Sequence, residues 1–212
     1  MRSFRSIAPQ RWLMLFSGFV LWGLGLALFV RANLGLGPWD AFHQGLSFQL
    51  GITIGQASII ASVIVLLFWI PLRQRPGIGT VLNALTIGPF MDLFLSLLPQ
   101  QIESLWLRGA MLLVGMTCVG LGSALYLPAG LGAGPRDGLM MGIHDKLGWS
   151  IRLSRSAIEA SALAIGWAMG GTVGIGTLVF AFGIGPVVQA SLNQARRFLP
   201  DWRLPAPATA KQ

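Results

Sequence analysis

Apolar positions in this chain run in long blocks, with neither the alternation of a half-buried strand nor the narrow stripe of a surface helix. Six blocks, at about 12–30, 55–72, 78–98, 106–127, 153–171 and 176–198, are long and apolar enough to cross a hydrocarbon core about 30 Å thick as helices. A shorter, semi-polar stretch follows the first block and another follows the fourth. Residues 38–50 and 135–147 are too short to cross, which predicts a re-entrant or interfacial helix at each place. The first block follows Arg2, Arg5 and Arg11, as the core of a secretory signal would. It is longer than such a core and aligns with the internal fourth block, so it is read as a retained helix.

That alignment extends through most of the chain. Gly35-Leu36-Gly37-Pro38-Trp39-Asp40 returns 97 positions later as Gly132-Ala133-Gly134-Pro135-Arg136-Asp137. At the same offset Gly77-Ile78-Gly79-Thr80 matches Gly174-Ile175-Gly176-Thr177, and Ile87-Gly88-Pro89 matches Ile184-Gly185-Pro186. Sliding residues 11–89 onto 108–186 without a gap leaves roughly a third of the positions identical. The chain therefore reads as one membrane domain, 1–212, made of repeats 11–100 and 108–198, with 199–212 expected to be a disordered cytoplasmic tail. Three spans per repeat is an odd number, so the second copy enters from the opposite side. The expected fold class is an all-α membrane protein, six transmembrane helices arranged as a 3+3 inverted-topology repeat. Such repeats are common in secondary transporters, whose sites form near the midplane where the halves meet. Duplication can also do no more than build a stable bundle.

Composition agrees with the membrane reading. Hydrophobic residues make up 54% of the 212 and charged residues 10%, against about 25% charged in soluble domains. With the N-terminus inside, Arg31 and Arg108 are the cations left on the outer side, out of fifteen Lys and Arg. That bias places both termini in the cytoplasm. The net charge of +8 then reflects contact with anionic lipid headgroups, not with nucleic acid. Cys118 is the single cysteine, and His43 and His144, the two histidines, lie in connecting segments. No metal site, cofactor or nucleophile–base pair is expected from this inventory, and no P-loop pattern is present. An enzyme is not expected.

The candidate site residues come from the repeated motifs. In each Gly-x-Gly-Pro-x-Asp segment, Gly35 and Gly37, or Gly132 and Gly134, permit a tight turn. Pro38 or Pro135 suits a first helical position, and Asp40 or Asp137 then falls in the first turn, where a carboxylate is favoured. This is a complete structural account, and the same geometry would aim two helix N-termini at a cavity as gates or binding groups. Arg136 takes the place of Trp39, so the halves differ in charge. Gly88-Pro89 and Gly185-Pro186 sit inside the third and sixth spans, where proline is expected to break the helix near the midplane; an ordinary packed kink is the plainer alternative. Asp92, one turn beyond Pro89 and aligned with Gln189, is a deep carboxylate and a candidate for proton or cation coupling, or else a structural acid capped by a neighbouring helix. Glu159 is a second coupling candidate, although Arg155 four residues earlier predicts a local ion pair.

These motifs, Gly35–Asp40, Gly132–Asp137 and Gly174–Pro186, together with six spans, resemble the YczE/YyaS/YitT group of bacterial integral membrane proteins, in particular its YczE-like branch. The likeness runs from about Arg11 to Gln189 and implies a bacterial inner-membrane protein, with no settled substrate or reaction. The expected function is a small-solute transporter or permease. The alternative is a non-transporting accessory or regulatory protein acting through a membrane partner, and a homo-oligomer is compatible with either.

Overall fold

The computed structural model describes residues 9–198. The N-terminal arginines Arg2 and Arg5 and the expected tail at 199–212 lie outside them. Among the described residues there are eight α-helices: α1 (Pro9–Ala32), α2 (Pro38–Leu50), α3 (Ile54–Trp69), α4 (Ile78–Leu97), α5 (Leu105–Tyr126), α6 (Pro135–Leu147), α7 (Ile151–Ala168) and α8 (Ile175–Phe198). No strand occurs among the described residues.

The boundaries repeat as the sequence does. Helices α2 and α6 each have 13 residues, begin at Pro38 and Pro135, and end at Gly51 and Gly148 in left-handed conformation. They are the two short helices expected after the first and fourth spans. Every other helix lies within three residues of its expected block. Among the described residues four helices, α1, α4, α5 and α8, are long and apolar enough to cross a membrane, or five crossings if α2 and α3, bent by 109°, count as one. The expected second and fifth spans fall short of that standard singly. Helix α3 has 16 residues, about 24 Å of rise, and α7 has 18 residues carrying Arg152, Arg155 and Glu159.

Packing between the repeats is reciprocal. Helices α1 and α5 cross antiparallel at two glycine pairs. A methyl group on Gly18 would lie 2.8 Å from the Gly122 carbonyl oxygen, and one on Gly25 would lie 2.7 Å from that of Gly115. Small residues there let the two backbones touch. Each of the two helices then carries its own repeat's last helix, α4 on α1 and α8 on α5, while α2 packs on α7 and α3 on α6. Phe19, Phe29, Met91 and Val119 fill the resulting core and are almost fully buried.

One seam breaks the symmetry. Helix α3 packs along α4, whereas α7 and α8 barely touch among the described residues. The expected breaks at Pro89 and Pro186 are also corrected: α4 and α8 run uninterrupted through both prolines. An interior proline deletes one hydrogen bond and crowds the preceding turn, but it does not oblige a helix to stop.

Candidate functional site

The two repeated signatures are each other's docking partners. The Gly79 amide donates to the Leu131 carbonyl at 2.8 Å, and the Gly176 amide to the Leu34 carbonyl at 2.7 Å. These are one contact made twice with the repeats exchanged, since 79 corresponds to 176 and 34 to 131. Thr80 Oγ1 also donates to the Ala133 carbonyl at 2.6 Å. Gly35 and Gly132 stand at φ +117° and +141°, where an L side chain is strained, and a methyl group on Gly35 would lie 2.8 Å from Thr177 Oγ1. The start of α4 therefore fixes the loop before α6, and the start of α8 fixes the loop before α2.

So held, the N-termini of α2 and α6 meet at one cavity of about 420 Å³. Its lining includes Gly37, Pro38 and Asp40 from the first motif and Gly134, Pro135, Arg136 and Asp137 from the second, with Glu159, Gly185 and Gln189 farther round. The Arg136 guanidinium lies over the Trp39 ring, 4.8 Å from its centroid. Asp40 and Asp137 flank that cation and interact with it electrostatically. The two aspartates are held differently. Asp137 faces the cavity, bonded to the Tyr126 hydroxyl and to the Gly134 amide. Asp40 is buried, and its Oδ1 has no hydrogen-bond partner among the described residues.

The remaining predicted residues divide. Arg155 and Glu159 make the expected i,i+4 pair at 2.9 Å, and both also line the cavity. Gln189 donates to Asn193 at 3.0 Å from the same wall. Gly35, Gly132, Gly88, Pro89 and Pro186 do not line it. Asp92 lies outside it too. Its carboxylate accepts from Thr53 Oγ1 at 2.5 Å and from the Gly55 amide at 2.9 Å, so it caps the N-terminus of α3. Gly88 presses on the same turn: a methyl group there would lie 2.6 Å from Ser58 Oγ, whereas one at its counterpart Gly185 meets nothing within 4 Å. The α3–α4 seam is closed at the position where the α7–α8 seam faces open space.

Sequence reasoning missed Tyr126, Trp39 and above all His43. That histidine lies in α2, the short helix expected at 38–50, and is 2% exposed in the cavity wall, its Nδ1 without a hydrogen-bond partner among the described residues. The signal was its spacing from Asp40, three residues, which puts both on one helix face. His144, the other histidine, is half-buried, with Nδ1 2.5 Å from the Trp149 carbonyl oxygen.

Comparison with known proteins places the whole described bundle in one context. The model of a family of unknown function, DUF6198, matches residues 9–193. An uncharacterized protein of Haemophilus influenzae is 43% identical over 171 residues, 81% of this chain and 78% of its own. The uncharacterized membrane protein YczE of Bacillus subtilis is 38% identical over 193 residues, 89% of this chain and 88% of its own. The uncharacterized protein YyaS of the same organism is 32% identical over 165 residues, covering 76% and 82%. No solved structure matches this one.

Proposed function

The chain belongs to the DUF6198 family and is a membrane protein, and we propose that it moves a small polar solute across the bacterial inner membrane by alternating access, through the cavity between its repeats. The observation that carries this reading is the meeting of the two Gly-x-Gly-Pro-x-Asp segments at one cavity of about 420 Å³. Helix N-termini converging from two repeats on a cavity are an arrangement in which inverted-repeat transporters hold their cargo.

In this reading α1, α3, α4, α5, α7 and α8 are the six spans of a 3+3 inverted repeat. Helices α2 and α6 re-enter from opposite faces, both termini are cytoplasmic, and the cationic side contacts anionic lipid. Irregular backbone at membrane depth is tolerated where it lines a cavity, which suits the loops before α2 and α6. The unlike seams supply the motion. One seam is shut by Asp92 and Gly88 and the other is parted at Gly185. Exchanging those conditions between repeats would open the cavity to the other face. Because the repeats share one fold, the two states lie close in energy.

The test is reconstitution in liposomes and uptake of pooled metabolites and ions, with and without a pH gradient. Saturable uptake that requires the protein and fails in Asp137→Asn is expected. A clean negative with a folded, inserted protein overturns the proposal in favour of an accessory role through a membrane partner.

A further inference from the structure

Asp40 and His43 stand one turn apart on α2, with Oδ1 and Nδ1 facing each other across 3.7 Å. The two residues are 3% and 2% exposed, and neither facing atom has a hydrogen-bond partner among the described residues. Buried polar atoms are nearly always bonded, and an orphaned pair asks for an explanation. The gap is wider than a hydrogen bond and too narrow for a water or solute atom in line between them. A proton fits. Added to the Nδ1 lone pair, it makes that nitrogen a donor aimed at the carboxylate, and a small closure of the first turn of α2 completes a charge-assisted hydrogen bond. Its release returns the lone pair and the gap.

We propose that Asp40 and His43 form a proton-binding site in the wall of the cavity. The site occurs once, because Asp137 is already bonded to Tyr126 and Gly134 and the counterpart of His43 is Met140. Among the described residues, the charged and titratable groups that line the cavity with it are Arg136 and Asp137 on α6, Tyr126 on α5, and Arg155 and Glu159 on α7. Helix α3 brings Ser58 and Ser62, and α8 brings Gln189, with no titratable group from either to the cavity. The Arg136 guanidinium acts electrostatically on both Asp40 and His43. A solute that engages Arg136 therefore changes how firmly the pair holds its proton, which is a direct route to proton coupling. That use rests on the transport reading; the proton site does not. It takes the coupling role assigned from sequence to Asp92, whose oxygens are occupied in capping α3.

The experiment uses the full chain, purified on a removable tag without histidine and labelled with 15N-histidine. Two histidines give two sets of ring signals, and His144→Gln assigns them. Between about pH 4 and pH 9 the His43 ring should change protonation state, with a midpoint displaced by at least about one unit in Asp40→Asn. A ring that keeps one state throughout, or an identical midpoint in Asp40→Asn, overturns the proposal. Should Asp40→Asn not fold, the Asp40 carboxyl stretch followed by infrared spectroscopy replaces it. Its pH dependence should differ between wild type and His43→Gln, and equal behaviour again overturns the site. Both readouts need neither solute nor flux, so a failed uptake screen and a failed proton site are separate results.

Discussion

Trp39 and Arg136 occupy equivalent positions of the two repeats, and they stack on one another, the guanidinium carbon 4.8 Å from the centre of the indole. Residues related by the duplication meet where the halves meet, so this contact marks the centre of the molecule. A desolvated cation–π pair contributes about 2 kcal/mol. In the transport reading Arg136→Gln also loses a charged donor to the solute, a contact of about 1.5–3 kcal/mol, so uptake should fall by at least about tenfold. Arg136→Lys, which keeps the charge without the planar face, should fall between. Liposome uptake at matched protein density measures both, and an undiminished rate in Arg136→Gln would remove the residue from the site.

Asp92 is a latch on the α3–α4 seam. Asp92→Ala leaves Thr53 Oγ1 and the Gly55 amide without their acceptor, and loss of such a cap costs about 1–2 kcal/mol. The expected outcome is a lower unfolding temperature and a seam that opens more often. Cys118 is the single cysteine, so a Cys118→Ser background makes Ser58→Cys a specific reporter. Its maleimide labelling should be faster with Asp92→Ala than without.

Gly88 and Gly185 should respond oppositely to the same change. A side chain at Gly88 collides with α3, so Gly88→Val should reduce folded yield sharply. Gly185 has open space, so Gly185→Val should fold with near-normal stability and instead narrow the cavity, lowering uptake. Thermal unfolding and uptake measured on both variants separate the two effects.

Thr80 and Thr177 each accept from an amide three residues back, of Gly77 and Gly174 respectively. Thr177→Val should lose about 1 kcal/mol of stability, and Thr80→Val, which also gives up the bond to Ala133, about 2 kcal/mol. Differential denaturation in mild detergent would show it, and a loss confined to one of the pair would argue against equivalent docking in the two repeats.

Gln49 and Lys146 are equivalent positions near the ends of α2 and α6. In the inverted arrangement they face opposite sides of the membrane. Gln49→Cys should label with an impermeant maleimide from outside the cell and Lys146→Cys should not; labelling of both from one side would sink the inverted topology.

Much of this was legible in the chain. The constant offset of 97 foretold that α2 and α6 would start and end at matching residues, because Pro at the first position and Gly past the last are local signals. What stayed hidden was long-range. Asp92 read as a lone deep carboxylate because its partners, Thr53 and Gly55, lie 39 and 37 positions away. His43 falls within the helix expected at 38–50, but nothing local in the chain shows that it would be buried beside Asp40. Pro89 and Pro186 read as breaks, since sequence shows the bond a proline removes but not the neighbours that keep the helix whole.

The reciprocal bonds from Gly79 to Leu131 and from Gly176 to Leu34 are those that two separate copies of one half would form as an antiparallel homodimer. Such a dimer would have to set Trp against Trp or Arg against Arg at its axis. Joining the halves in one polypeptide frees that position from self-complementarity, so a single cation can sit at the centre of an otherwise duplicated protein without facing its own image.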